Sequence, residues 1–175
     1  MSDTTLDIAE VEGELHRFPQ ASDLPLVLYR GVLPSGGERM AETYETLFAR
    51  NGWAGGWRNG IYHYHHFHAN AHEVLGIAAG QAFVRFGGEE GPVVEVHAGD
   101  VVVIPAGVSH CNEGASHDLL VVGAYPGGRS PDLNEGTPAE HPKSRAKLAK
   151  VERPDADPLY GRDGPLMRHW IAKAG

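Results

Sequence analysis

Residues 60–73 read GIYHYHHFHANAHE, and this stretch decides how the rest of the chain is interpreted. Five of the eleven histidines in the sequence fall within it, and it ends on the carboxylate Glu73. Histidine is only an intermediate choice for a protein core, so such a concentration needs a specific reason. The segment is either a solvated cluster or a set of imidazoles directed at one point, since imidazole is a common ligand of transition metals.

Strand geometry favours convergence on a metal ion. In an extended segment alternate side chains share a face, so His66 and His68 point the same way if residues 61–68 form a strand. A short turn leads to a second strand that begins with Glu73. A third histidine, His110, directly follows GDVVVIPAGVS, in which a strand ends in a proline-glycine turn. Three imidazoles and one carboxylate suit Zn²⁺, Fe²⁺, Mn²⁺, Ni²⁺ or Cu²⁺.

The same alternation places the neighbouring side chains. Tyr62 and Tyr64 share the inward face, where their hydroxyls either bind a substrate or a ligating imidazole or belong to an aromatic filling of the core. His63 and His65 are predicted to point away from the metal. Arg85 lies in an otherwise apolar strand; it could pair with a substrate carboxylate, although an outward, solvated arginine fits the alternation better.

The spacing of these residues resembles the two conserved motifs of the cupin superfamily. The matching positions are Gly60, His66, His68, Glu73 and Gly80 in the first motif, and Gly99, Pro105, Gly107 and His110 in the second. One position departs from the pattern: Gly114 stands where the second motif ends on an asparagine, and Asn112 lies two residues earlier. That asparagine is not a metal ligand in the family, so the departure concerns the local turn.

The resemblance implies an all-β fold, a double-stranded β-helix or jelly-roll barrel of the RmlC-like kind. Carried over position by position, the metal ligands are His66, His68, Glu73 and His110, and the cofactor is one divalent transition metal per chain: Fe, Zn, Mn or Ni. If the second strand begins one residue earlier, His72 takes the place of Glu73. The resemblance also implies a homodimer, with the strand at residues 24–30 as one candidate for the contact.

The flanking sequence fits a single domain over residues 1–175, with a barrel core at about 60–125. Short β-branched runs separated by glycine-rich turns fill this core, as in an all-β sandwich or barrel. In the extension at residues 1–59, LPLVLYR predicts a strand, apolar residues spaced from Met40 to Phe48 predict one helix, and WAGGWRNG predicts a loop. The tail at residues 126–175 has one basic helical segment, SRAKLAKV, and ends in apolar residues that predict packing on the barrel.

Charge and cysteine content limit the classes of partner. The net charge is −8, which argues against nucleic acid or an anionic membrane as a partner, because both need clustered positive charge. No apolar run approaches the ~20 residues of a membrane span. The polar, acidic N-terminal residues do not resemble a secretory signal. The single cysteine, Cys111, excludes an internal disulfide and fits a cytoplasmic location.

Three hypotheses about function follow. The first is a mononuclear metal enzyme acting on a small polar molecule, by oxygenase-type chemistry with iron or by Lewis-acid isomerase, decarboxylase or hydrolase chemistry with zinc, manganese or nickel. The second is a non-catalytic barrel that binds a small ligand and carries a structural metal. The third is metal-free epimerisation by histidine and tyrosine acid–base chemistry. The complete ligand set favours the first.

Overall fold

The computed structural model describes residues 8–34 and 39–171. In these ranges the chain forms nine strands, three α-helices and one 3₁₀ helix. The strands are β1 (Glu14–His16), β2 (Leu26–Tyr29), β3 (Trp53–Asn59), β4 (Glu73–Ala79), β5 (Gln81–Phe86), β6 (Val93–His97), β7 (Val101–Ile104), β8 (His110–Ala115) and β9 (Leu120–Pro126). The helices are α1 (Met40–Arg50), α2 (Pro142–Leu148), α3 (Pro165–His169) and the 3₁₀ helix Pro138–Glu140.

The strands form two antiparallel sheets. The large sheet has the order β1-β2-β7-β4-β9-β3, and the small sheet has the order β6-β5-β8. Apolar side chains from both sheets, such as Leu75 and Ile77 of β4 and Val84 of β5, pack into one core between them. The predicted all-β jelly-roll fold is confirmed.

The opposite face of the large sheet is also covered. Val74 of β4 points to this opposite face, and it packs in a cluster with residues of α1 and the C-terminal tail. Both faces of the sheet are therefore buried, and this explains why β2, β4 and β7 are almost continuously apolar rather than alternating.

Helix α1 buries the stripe that the sequence predicted, with Met40, Tyr44, Leu47 and Phe48 all against the large sheet. It lies very close to the sheet at Gly76, where an added Cβ would sit 2.7 Å from the Tyr44 ring. At the end of the helix Gly52 adopts the left-handed conformation expected of the Asn51-Gly52 pair, with a φ of +82°. Ser35 and Glu38, whose spacing predicts a capping box, lie outside the described residues.

The C-terminal tail wraps the barrel, as predicted. Leu159, Leu166 and Trp170 are buried in the core beside α1, and the Trp170 indole donates a 2.8 Å hydrogen bond to the carbonyl of Pro25. Asp157 is fully buried and accepts hydrogen bonds from the Tyr29 hydroxyl and from the backbone N–H groups of Leu159, Tyr160 and Leu166. One buried carboxylate thus joins the tail to β2.

Two predicted loops are strands instead. Residues 53–59 form β3 at the edge of the large sheet. The glycines of WAGGWRNG, which predict a loop, lie in a β-bulge between Ala54 and Trp57, where Gly55 has a positive φ. Residues 106–116, AGVSHCNEGAS, have the composition of a turn, yet His110–Ala115 form β8, whose sequence HCNEGA lacks the β-branched residues typical of strands. In both cases pairing with a neighbouring strand outweighs local composition.

Two further expectations need correction. Residues 61–68 are not a continuous strand, because only His66 and Phe67 form isolated bridges. The strand suggested for a dimer contact, β2, is paired on both sides by β1 and β7, so it has no free edge for a second subunit. Within the described residues, no helix has the length and apolar character needed to cross a bilayer.

Candidate metal centre

His66 and His110 face each other across an antiparallel bridge at the inner wall of the barrel. His110 N–H donates to the carbonyl of His66 at 2.9 Å, and His66 N–H donates to the carbonyl of His110 at 3.3 Å. The two imidazole centroids are 4.0 Å apart, and both side chains are buried. Backbone pairing between distant segments therefore brings the two rings together.

His68 and Glu73 complete the cluster. One nitrogen from each of His66, His68 and His110 can be chosen so that all three lie within 4.8 Å of one another. Glu73 Oε1 is 3.3 Å from His110 Nε2 and 3.6 Å from His68 Nε2. The structure thus brings together all four residues that the cupin resemblance implied as ligands.

The spacing and chemistry of these atoms fit a transition-metal ion. Two ligand atoms bound about 2.1 Å from one ion lie about 3.0–3.4 Å apart, close to the two distances measured from Glu73. Glu73 Oε1 and His110 Nδ1 are buried without a well-formed hydrogen bond within the described part of the chain. A bound cation would compensate the buried carboxylate.

Backbone carbonyls select the imidazole tautomers. The carbonyl of Tyr64 is 3.1 Å from His66 Nδ1, and the carbonyl of Asp132 accepts from His68 Nδ1. Because a carbonyl can only accept, each Nδ1 carries its proton and each Nε2 keeps a lone pair. This arrangement is the one that orients a ligating histidine toward a metal.

The charges of the site are coupled through Glu73. Burial alone would raise the pKa of Glu73, but the His110 and His68 imidazoles outweigh burial and hold the pKa well below its usual range. Burial would lower the pKa of His68, yet the Glu73 carboxylate raises it overall. For His66, burial and then the proximity of His110 lower the pKa to about 3, so this imidazole is neutral at pH 7.

The cluster lies in the wall of a cavity of about 910 Å³. Its lining is mixed, with apolar side chains such as Ile61 and Leu75 and polar side chains such as Asn59 and Ser116. None of the described residues that line it is a lysine or an arginine. Such a cavity has room for a small molecule.

The predicted substrate-contacting residues separate into two groups. Tyr62 and Tyr64 line the cavity at its exposed side, with their rings stacked at a centroid distance of 5.0 Å. Arg85 lies outside the cavity, where its guanidinium donates to Glu113 at 2.9 Å and to the carbonyl of Gly91 at 2.8 Å.

The remaining histidines of the segment are dispersed. His63 lines the cavity, contrary to the prediction that it points away, because residues 61–65 are not a regular strand. His65 points away, toward Cys111 and Glu113. His72 lies on the far side of the sheet, where its Nδ1 accepts from Ala106 N–H at 2.9 Å. Glu73, and not His72, is the residue beside the imidazoles.

Two contributors, Tyr125 and Asp132, were not predicted from the sequence, and for Trp57 the sequence favours core anchoring over a place at the barrel mouth. Tyr125 and Trp57 line the cavity and hydrogen-bond each other, and Asp132 holds His68. Tyr125 lies near the end of the apolar strand β9, and a polar aromatic side chain at that position is only a weak indication of a functional residue. Trp57 lay in the predicted loop, and Asp132 lies in the tail with nothing in its local sequence to connect it to His68.

Comparisons with known proteins agree with this fold. The family model described as Cupin matches residues 58–125. The uncharacterised protein YjlB of Bacillus subtilis is 38% identical over 155 residues, which cover 89% of this chain and 91% of YjlB.

Solved structures show weaker similarity. The epimerase RmlC of Legionella pneumophila matches with a TM-score of 0.39 and 12% identity, over 89% of this chain and 91% of that one. Acireductone dioxygenase of Bacillus anthracis, solved with a cadmium ion in its active centre, matches with a TM-score of 0.36 and 16% identity over 49% of this chain. This chain spans only 58% of that enzyme.

Proposed function

This chain belongs to the cupin superfamily, and from that premise we propose that it is a mononuclear metal-dependent enzyme acting on a small polar molecule. His66, His68, His110 and Glu73 hold one divalent transition metal. The observation that supports the proposal is the convergence of three imidazoles and the buried Glu73 Oε1 at the wall of an open cavity.

Iron at this position would supply oxygenase-type chemistry, whereas zinc, manganese or nickel would supply Lewis-acid chemistry for isomerisation, decarboxylation or hydrolysis. The protein's own groups have separate tasks. The Tyr64 and Asp132 carbonyls fix the orientation of His66 and His68. The hydroxyls of Tyr62 and Tyr64 border the cavity and can hydrogen-bond a polar substrate.

The cavity lining favours catalysis over a purely structural metal. A structural metal has a complete protein coordination shell, whereas a catalytic site keeps a position open to substrate. Here the cluster borders a cavity that also presents Asn59, Ser116 and His117. Since no lysine or arginine is among its described lining residues, we infer that the substrate is uncharged or carries little negative charge.

The first experiment is elemental analysis of the protein purified without added metal, with one equivalent per chain expected. If the metal found is iron, substrates of oxygenation reactions are tested first. If it is zinc, manganese or nickel, substrates of Lewis-acid reactions are tested first. We propose a cytoplasmic homodimer, and sedimentation of the same sample tests the oligomeric state. Protein that takes up no divalent transition metal at all would refute the proposed function.

A second experiment separates an enzyme from a barrel with a structural metal. Protein loaded with a single equivalent of cobalt is titrated with azide, a small anion that binds at open coordination positions. A saturable change in the visible cobalt bands is expected. A metal-loaded protein whose spectrum does not respond to azide favours the structural alternative. His97→Ala, at an exposed side chain outside the cavity and outside both groups of ligand-type residues, serves as the control and should respond as the wild type does.

A further inference from the structure

The antiparallel bridge between His66 and His110 directs both side chains into the barrel, and it also determines which neighbouring side chains lie on the outer face. Side chains alternate between faces along paired segments, so the neighbours His65 and Cys111 fall opposite each other on the outer face. Glu113 follows Cys111 by two residues on β8 and shares its face. The register thus builds a second group of ligand-type side chains back to back with the first.

The atoms of this outer group are close enough to bind one ion. His65 offers a ring nitrogen, Cys111 its Sγ and Glu113 a carboxylate oxygen, and these three atoms lie within 4.8 Å of one another. His65 Nδ1 is buried and has no hydrogen-bond partner among the described residues. Cys111 is a free thiol with only 5% of its surface exposed, whereas Glu113 is exposed, so an ion can arrive from solvent.

We propose that His65, Cys111 and Glu113 form a second metal site, of the kind that binds zinc, on the outer face of the small sheet. A thiolate, an imidazole and a carboxylate form a mixed donor set typical of Zn²⁺, and three protein ligands leave one position for water. This outer site shares no ligand with the inner cluster and does not depend on the proposed enzyme function.

Arg85 tunes the outer site. Its Nε donates to Glu113 Oε1 at 2.9 Å, and a second contact to the carbonyl of Gly91 fixes the guanidinium. The ion pair engages one carboxylate oxygen and leaves the other for a metal. The positive charge of Arg85 also repels a cation at short range, so the outer site is the weaker of the two sites.

The test is a Co²⁺ titration of the full-length protein. Cys111 is the only cysteine in the sequence, so a thiolate-to-cobalt charge-transfer band in the near ultraviolet reports the outer site alone. The band should appear with a second equivalent of bound cobalt, and added Zn²⁺ should abolish it. Cys111→Ser should lose the band and that equivalent, and His65→Gln should weaken the second equivalent by about tenfold or more.

Two controls distinguish failure of this proposal from failure of the inner site. Glu73→Gln weakens the inner cluster and should keep the charge-transfer band, while the exposed His97→Ala should change neither site. In the wild-type protein, Zn²⁺ should also slow alkylation of Cys111, a measurement that needs no variant to fold. Wild-type protein that shows no band at saturating cobalt, or no protection by zinc, overturns the proposal.

Discussion

The indole N–H of Trp57 donates a 2.8 Å hydrogen bond to the hydroxyl oxygen of Tyr125, whose hydroxyl interacts with the Glu73 carboxylate. Because the Tyr125 oxygen is the acceptor in this bond, its own proton is free to point toward Glu73. Burial, and then the Glu73 charge, raise the pKa of Tyr125, so the tyrosine stays protonated. Trp57 therefore orients the Tyr125 hydroxyl toward the Glu73 carboxylate, while the Tyr125 ring lies edge-on to the His68 imidazole.

Tyr125→Phe should weaken metal binding without removing it. The change deletes the hydroxyl that supports Glu73, and losses of about 10–100-fold in affinity are typical for partners of metal ligands. Competition with a chromophoric chelator measures the affinity. Tyr62→Phe is the matched control, since Tyr62 is exposed and stacks on Tyr64. Equal losses in the two variants would show that Tyr125 has no special relation to the site.

His66→Ala and His110→Ala should each lose most of the bound metal, because each removes one of three converging imidazoles. His63→Ala is the internal control from the same segment: it lines the cavity and does not belong to the cluster. Its metal content should match the wild type. Metal-to-protein ratios measured after dialysis decide the comparison. If His63→Ala loses metal as fully as the other two variants, the ligand assignment is incorrect.

Metal should dissociate as the pH falls, because protons compete with the ion for the imidazoles. Burial would lower the pKa of His68, but the Glu73 carboxylate raises it overall above the ordinary value of 6.5, so a proton competes well for this imidazole. Metal content should therefore be full at pH 8 and decrease as the pH drops through ~6. A metal content that is constant from pH 8 to pH 5 would argue against histidine ligation.

His72 should make the metal-free protein less stable in acid. Burial is the main cause that lowers the pKa of His72 from 6.5 to about 4, although the backbone of Glu152 opposes it. The unfolded chain therefore binds a proton at a pH where the folded chain does not. The stability contributed by His72 is fully present above pH 6.5 and is lost as the pH falls toward 4.

The measurement is chemical unfolding of metal-free protein at several pH values. The slope attributable to His72 is at most about one proton, or ~1.4 kcal/mol per pH unit. His72→Gln keeps an acceptor for Ala106 N–H without titrating, so its stability should fall less steeply across this range. Parallel curves for wild type and variant would contradict the prediction.

Asp157→Ala should destabilise the protein strongly. The change removes the acceptor of the Tyr29 hydroxyl and of the backbone N–H groups of Leu159 and Tyr160, whereas Leu166 N–H keeps a second acceptor in the Tyr29 hydroxyl oxygen. Each unsatisfied group costs about 1–3 kcal/mol, so a total loss of at least about 3 kcal/mol is expected. The exposed Asp155→Ala is the control and should change the free energy of unfolding by less than about 0.5 kcal/mol. Urea denaturation followed by tryptophan fluorescence compares the two variants.

The regular parts of the fold were predictable because local pattern and tertiary burial agree there. Helix α1 shows its apolar stripe directly, and β4, β5, β6, β7 and β9 are short runs rich in β-branched and other apolar residues. β3 and β8 were missed because their glycines and polar residues become strands only through pairing with β9 and β5. The orientation of His63 failed for the related reason that residues 61–65 take an irregular path.

The sequence by itself determined which imidazoles cluster, because residue type and motif spacing can be read directly along the chain. Only the tertiary structure decided that Glu73 and not His72 stands beside them, since a shift of one residue reverses the face of a strand. It also decided which side chains support the cluster. Tyr125, Trp57 and Asp132 reach it through strand pairing and a returning tail, and contacts between distant segments leave no periodic signal in the sequence.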